Sequence, residues 1–553
     1  MKNIQTENLN LHYLPGNKYD TVEELYDGTI KVHPYSKNFF NYLFKEKETL
    51  FHFNSLTGCV SEFENPGAAI QVLNYANAVD FIGKTGISIL NDDFCFFDSI
   101  KKQFEFYNSQ FKITRKVEYT GRVDNFTIYK AKFYLYDRYL NQLIIGSLNN
   151  DKLIQENTFN LKGIGNKSFF VQHEELWVSD SDENLIYVYN LKDLKLCFQM
   201  ITPFFDPQAL FISVNVVWVL YGGEVNETSY NQRCWTEQKP FFHILKYQVK
   251  ELNGFNYTLT NRFLVEFTYE EHIKIIKSAS FNEISAFISL PLNTIRQQMV
   301  EYEILGCTDC KVVNSRLNFI LKDISGRSGG YIGYRALMEL GSVKYTFHND
   351  FNDIFIPPDF QFPSNRNLMT DHPVMQELAR TDKAGHIEKF LELRNRVFRK
   401  LFYKTNSKAK DFAEVLQDGY GTCGDYTSII LALAIINNIP VRTAGGFKVP
   451  RFVNSQQDNR SCYYNHTWLE VFLPDAGWVP VESSSDDREI YGRLCEGQFL
   501  GEDWSHIRTH YDRCVPNLID VSCKGMDMHP YDIFENSTFM KITGEYAGFG
   551  DER

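Results

Sequence analysis

No dense run of lysine and arginine occurs in this 553-residue chain, whose formal charge is −12. Nucleic acid and anionic membrane surfaces need clustered positive charge, so neither is an expected partner. Long hydrophobic runs are missing too. The longest, Ile429 to Ile436, is far short of the roughly 20 residues that cross a bilayer. The opening Met-Lys-Asn-Ile-Gln-Thr-Glu-Asn has no apolar segment and no small-residue cleavage site, so no signal peptide is expected. Eleven cysteines, an odd number scattered along a large chain, do not suggest a disulfide framework. The expectation is a cytoplasmic protein. Proline and glycine are modest, 17 and 33, and no long segment has a disordered composition. What is abundant is apolar and aromatic surface, 43% and 15% of residues, enough for two or three cores.

The first 320 or so residues read as short strands: β-branched and aromatic runs broken by turn residues. A repeated unit stands out. Phe-His-Phe-Asn ends at Asn54, Phe-Cys-Phe-Phe-Asp at Asp98, Phe-Tyr-Leu-Tyr-Asp at Asp137, Leu-Trp-Val-Ser-Asp at Asp180 and Val-Trp-Val-Leu-Tyr at Tyr221, spaced 39 to 44 residues apart. Each is followed by a turn and a second strand, and often by a third. After Tyr221 an insertion, Gly222 to Pro240, breaks the period, and Ile284 to Ile288 reads as a further anchor. A four-stranded unit of this length that cannot bury its faces alone resembles a propeller blade. The expectation is an all-β propeller of six or seven blades within residues 1–325, against the alternative of paired β-sandwiches.

Beyond a Gly-rich linker at Gly326 to Gly330 the pattern changes. Apolar spacing predicts helices at Pro373 to Ala379, Ile387 to Tyr403 and Ala409 to Leu416, and one from Cys423 to about Ile436. Strands are predicted at Val441 to Phe447, Thr467 to Leu473 and Trp478 to Glu482. Helices followed by an antiparallel sheet make residues 326–553 an α+β domain.

Three groups in this domain carry chemistry: the thiol of Cys423, the imidazole of His466 and the carboxylate of Glu482. Together they would make a nucleophile, its base and an orienter for that base. Cys423 follows Gly-Tyr-Gly-Thr and opens the apolar helix, where unpaired N–H groups and the helix dipole favour a thiolate. The same N–H groups suit a developing oxyanion. The turn Pro474 to Gly477 returns the chain so that Glu482 comes beside His466 on the neighbouring strand.

Those words resemble the transglutaminase-like family, which has a papain-related fold. The matching segments are Gly421-Thr-Cys423-Gly-Asp425, Ile439-Pro-Val-Arg442, His466-Thr-Trp468-Leu-Glu470 and Gly477-Trp478-Val-Pro-Val-Glu482. The resemblance implies Cys423 as nucleophile, His466 as base and acid, and position 482 as orienter. The chain has Glu at 482 where the family usually has Asp, so Asp475, Asp486 and Asp487 stay open as alternatives. Arg442, Trp468 and Trp478 read as core or wall residues.

Other groups are weaker. Cys307 and Cys310 form a single Cys-X-X-Cys without the second half that zinc needs. Cys462 lies four residues before His466 and reads as a bystander thiol. His506, His510, Cys514 and Cys523 follow no metal-ligand spacing. No metal or cofactor is expected. The expected activity is cysteine-dependent cleavage of a peptide or modified amide bond through a thioester, with the propeller docking a protein or peptide substrate or a protein partner. The alternatives are amide formation with an amine acceptor, and a propeller-based interaction protein with an inactive catalytic domain.

Overall fold

The computed structural model describes residues 41–149, 152–222, 240–274, 281–306, 309–324, 330–351, 354–363, 368–404, 412–449, 451, 465–512, 518–523 and 533–549, together with short strands at 6–7, 12–13, 22–24 and 30–32. Residues 223–239 of the insertion, 325–329 of the linker, and Cys307, Cys462 and Cys514 lie outside these. The chain divides into two compact units: Asn10–Lys246 with Glu489–Gly497, and Met1–Leu9 with Tyr247–Arg488 and Gln498–Arg553. No helix among the described residues is long and apolar enough to cross a membrane.

In the first of these units five four-stranded antiparallel sheets follow one another, each with its strands in meander order. Two of them also touch at their outer strands through the single parallel pair Glu118 and Lys152. Their second strands are Thr49–Asn54, Asp93–Asp98, Lys132–Asp137, Glu175–Asp180 and Val216–Tyr221. Each therefore ends where the repeat placed its anchor. The acidic or amide residue closing four of these runs is explained by the turn that follows. Asn54 Oδ1 accepts from the N–H of Leu56 and Thr57, Asp98 Oδ1 from Ile100 and Lys101, Asp137 Oδ1 from Leu140, and Asp180 Oδ1 from Asp182 and Glu183. A short side chain that mimics a backbone carbonyl is what such a turn needs.

The first strands, Asn41–Glu46, Thr85–Leu90, Asn125–Tyr129, Lys167–Gln172 and Pro207–Ser213, lie beside one another in that order, and the last lies beside the first. The fifth sheet takes its outer strand, His12–Tyr13, from the start of the chain. Between neighbouring sheets, the Asn41 amide donates to Gln208 at 2.6 Å and the Asn125 amide to the Lys167 carbonyl at 2.8 Å. Among the described residues this unit holds five four-stranded sheets and the short pair Val22–Glu24 with Ile30–Val32, where six or seven blades were expected. The difference lies in Ile284–Ile288, which pairs with Arg316–Ile324 and Ile519–Cys523 in the other unit. Alternating β-branched residues read alike in a short meander and in a broad sheet, and residues 247–325 accordingly fall on the far side of the observed division.

The second unit holds a wide sheet in which Phe255–Ile273 pairs with Tyr331–Phe347 on one edge and Phe534–Tyr546 on the other. Among its described residues it also carries four helices: α1 (Pro373–Leu378), α2 (His386–Lys400), α3 (Phe412–Asp418) and α4 (Cys423–Ile436). A second sheet is built from β1 (Val441–Lys448), β2 (Asn465–Leu473), β3 (Gly477–Val481) and β4 (His506–Asp512), in the order β3-β2-β1-β4. Helix α4 is apolar all round, which suits a helix enclosed on every side. Ile429 through Ala434 are fully buried, and α4 packs on α2, β1 and β2. Helix α2 stops at Lys400, short of the predicted Tyr403. Leu401 is extended, and Phe402–Tyr403 forms a short strand parallel to Tyr420–Gly421.

Candidate functional site

Cys423 is the first residue of α4. Thr422 caps the helix, its hydroxyl accepting from Asp425 N–H, while the Asp425 carboxylate accepts from Thr422 N–H at 2.7 Å. This reciprocal cap fixes the turn that presents the thiol. The Cys423 and Gly424 N–H groups lie in the first turn, where no helical carbonyl can accept them.

His466 lies near the start of β2. Its Nε2 faces both oxygens of Glu482, at 3.1 and 2.9 Å, so Nδ1 is the ring nitrogen left for the thiol. Glu482 follows β3, whose Val481 pairs with Leu469 of β2. The structure thus brings Cys423, His466 and Glu482 together. It does not bring the alternative carboxylates to the imidazole. Asp486 pairs with Arg394 at 2.7 Å, Asp487 accepts the Tyr426 hydroxyl at 2.5 Å, and Asp475 occupies the turn after β2 with a positive φ of 63°.

The electrostatics follow from this packing. Burial works against ionising Cys423, but the hydrogen bond from His466 and its charge outweigh burial and leave the thiol below its ordinary value. Burial likewise disfavours the imidazolium of His466. The Glu482 charge and the hydrogen bonds to Cys423 and Glu482 reverse this and push it up to about 9. Burial alone would raise Glu482. The charges of His466 and Lys448 and the hydrogen bonds from His466 and His506 hold it well below the carboxylate range.

Sequence reasoning missed three neighbours. Tyr403, expected inside a helix, sits in the strand beside Gly421 and hydrogen-bonds the thiol of Cys423. Lys448, the last residue of β1, places its ammonium 3.4 Å from Glu482 Oε2. His506, noticed only as part of a cluster without metal spacing, donates to the same oxygen at 2.8 Å. The signal for the last two lay in strand register, since Lys448 and His506 are direct partners across β1 and β4. His510 lies further along β4, with Nδ1 at 2.6 Å from the Thr509 hydroxyl.

Behind the site the same sheet carries a buried ladder of charges. Arg442 contacts Glu470 at 2.6 Å, Glu470 also pairs with Arg508, Arg508 contacts Glu502 at 2.6 Å, and Glu502 pairs with Arg296. Arg442 also stacks on Trp478 and Tyr511, consistent with a wall role. Trp468 is fully buried and stacks on His466 at 5.7 Å between ring centres.

A cavity of about 310 Å³ opens beside the imidazole, lined by Tyr403, Lys448, Asn465, His466, Ser484 and Asp487 among others. Its wall is shared between polar and apolar surface, and each of these lining residues carries a hydrogen-bonding group. Among the described residues, one group of side chains gathers the donor atoms a metal would need: His466, Glu482 and His506, within 4.8 Å of one another. The Lys448 ammonium beside the shared oxygen opposes a cation there, and both imidazoles are hydrogen-bonded to the Glu482 carboxylate.

Residues 373–483 match the family model of the transglutaminase-like superfamily. Among solved structures, a candidate cysteine protease from Cytophaga hutchinsonii is 13% identical, with 52% of this chain and 100% of that one covered at a TM-score of 0.34. Glutaminyl cyclase from Myxococcus xanthus is 8% identical, with 38% and 92% covered at 0.28. A protein of unknown function from Bacteroides caccae is 14% identical, with 35% and 77% covered at 0.24. No curated protein matches the chain in sequence.

Proposed function

We propose that this chain, with its transglutaminase-like domain over residues 373–483, is a cysteine-dependent acyl-transfer enzyme that cleaves a peptide or modified amide bond. The observation that carries this reading is the line from the Cys423 thiol through His466 to the buried Glu482.

The Cys423 thiolate attacks the carbonyl carbon, and the carbonyl electron pair moves onto oxygen. The first-turn N–H groups of α4 and the Tyr403 hydroxyl are the donors near that oxyanion. As the carbonyl re-forms, the C–N bond breaks, and the His466 imidazolium protonates the departing amine, leaving a thioester on Cys423. Water then adds to the thioester, His466 takes its proton, and the acid is released as the thiolate re-forms. Glu482 holds the imidazole in place and stabilises its cationic form throughout. Water is favoured as acceptor because it is always present and hydrogen-bonding groups line the cavity.

We further infer that residues 41–245 form a five-bladed propeller serving as a docking platform for the protein or peptide substrate. The closed cycle of first strands supports this reading. The odd set of eleven cysteines in a large chain supports a reducing, cytoplasmic setting.

The test is incubation of the protein with a peptide library and a labelled primary amine, with Cys423→Ala as control. Shortened peptides support hydrolysis. Amine-tagged peptides would move the assignment to amide formation. Tight peptide binding without turnover would make the chain an interaction protein, and turnover surviving in Cys423→Ala would overturn the mechanism.

A further inference from the structure

We propose that His506 is a positioning residue of this site, an imidazole that donates from both ring nitrogens and clamps Glu482 in the orientation His466 requires. The inference rests on the acyl-transfer reading above, although its central physical claim can be tested without any substrate.

The argument starts from what each partner can offer. A neutral imidazole has one N–H donor and one acceptor nitrogen, while an ionised carboxylate only accepts. His506 Nε2 lies 2.8 Å from Glu482 Oε2, and His506 Nδ1 lies 3.0 Å from Asp503 Oδ1. With an acceptor on both sides, both nitrogens must carry protons. The two acceptors are themselves held ionised. Asp503 pairs with Arg451 at 2.9 Å and accepts from Ser505 N–H at 2.9 Å. Glu482 is surrounded by donors from His466, Lys448, Ser484 and Ser485. The result is a buried row of alternating charge running from His466 through Glu482, His506 and Asp503 to Arg451.

All the charged groups around the ring fit this account. Anions close to it are Glu482, Asp503 and Glu502. Cations are His466, at 5.5 Å between ring centres, Lys448 across the strand pair, Arg451 beyond Asp503, and Arg296, which donates to the His506 carbonyl at 2.8 Å. Trp468 places its edge on His506 at 5.0 Å while stacking on His466, so one indole spaces both imidazoles. The clamp also accounts for glutamate at position 482. Its Oε2 reaches imidazoles from two strands separated by β1. Aspartate, shorter by one C–C bond of about 1.5 Å, would give up one of them.

Two experiments decide this. In the Cys423→Ala protein, ¹⁵N NMR of the histidine rings, with His506 assigned by its loss in a second variant carrying His506→Gln, should show both His506 nitrogens protonated at neutral pH. A single neutral tautomer would overturn the clamp. In the otherwise unchanged protein, His506→Gln should lower kcat/KM about 100-fold, the scale of an ångström-sized misplacement, with KM little changed. It should also move the acid limb of the pH profile upward, because a Glu482 that is less firmly held ionised supports less positive charge on His466, and the Cys423 thiolate is then less stabilised. Asp503→Asn should move that limb in the same direction by less. A purely structural role would depress the rate at every pH and leave the limb in place, which would overturn the proposal. If no substrate is turned over by any variant, the acyl-transfer reading fails while the NMR result still decides the clamp. If the glutamine variant does not fold, through-bond correlation of the ring to the His506 backbone amide supplies the assignment instead, and the NMR result stands.

Discussion

Six donor groups surround the Glu482 carboxylate: the rings of His466 and His506, the Lys448 ammonium, the Ser484 N–H and hydroxyl, and the Ser485 N–H. A fully hydrogen-bonded carboxylate can remain charged in a buried setting that would otherwise neutralise it. Glu482→Gln keeps the shape and removes the charge, so kcat/KM should fall by about 10³- to 10⁴-fold while the fold is retained by circular dichroism. The pH profile follows from the same residues. The active pair is a thiolate facing an imidazolium. Thiolate is lost as pH falls through the lowered Cys423 value, and imidazolium is lost as pH rises through about 9. A profile of kcat/KM should therefore be a bell whose acid limb lies below the ordinary thiol range and whose basic limb lies near pH 9. The linkage to stability has the matching sign. His466 is raised from 6.5 to about 9 on folding, so its contribution is complete below pH 6.5 and disappears between 6.5 and about 9. Cys423, lowered on folding from its ordinary 9.0, contributes with the opposite sign and offsets this loss, so urea midpoints should fall across that interval in Cys423→Ala, and fall less when Glu482→Gln is added.

At the scale of elements, β1 is the hinge between the groups that matter, with β2 carrying His466 on one side and β4 carrying His506 on the other. Gly446 of β1 pairs with His466 and with Arg508, and a Cβ placed there would lie 1.9 Å from the Ile507 carbonyl oxygen. Gly446→Ala must push β4 away. The expected result is a loss of about 1–3 kcal/mol in stability, as for other overpacked sites, and reduced activity. Unchanged activity in a folded Gly446→Ala protein would show that the spacing of β4 is unimportant to the site. Much of this region was legible beforehand because its signals are local. The thiol, its cap and the apolar run of α4 are contiguous, as are the strand of His466 and the turn that returns Glu482. The repeat anchors were legible for the same reason, each being an apolar run, closed in four cases by a turn-forming Asn or Asp. Tyr403 was hidden because the apolar spacing of α2 continues through Leu401 and Phe402, and only pairing with Tyr420–Gly421 ends the helix. His506 was hidden because its partners are set by strand register, which places residues from three separate segments around one carboxylate.

At the scale of the whole molecule, buried polar groups help hold the sheets of the first unit, and the fourth sheet shows it. Lys167 and Asp180 form an ion pair at 2.6 Å with both side chains fully buried. Removing one partner strands the other charge, which typically costs about 3–5 kcal/mol. Lys167→Ala should thus lower the unfolding free energy of the 41–245 region, read from urea titration, by that much, whereas Lys130→Ala, whose partner Glu174 is exposed, should leave it unchanged. An equal effect of the two substitutions would contradict the role given to burial.

The pairing of Phe255–Ile273 with Phe534–Tyr546 has a consequence for synthesis. Asn261 bonds to Glu545, 284 residues later in the chain. At about 5–20 residues per second on a ribosome, one edge of that strand stays bare for roughly 15–60 s before its partner emerges. An uncovered strand edge is a template for wrong pairing, and closing so long a loop carries its entropy cost before any contact is gained. A nascent chain halted before residue 534 should therefore hold the thiol, imidazole and carboxylate while one edge of the wide sheet is still uncovered. Chaperone occupancy on such halted chains, compared with chains released past residue 546, would measure how long the cell must guard this edge.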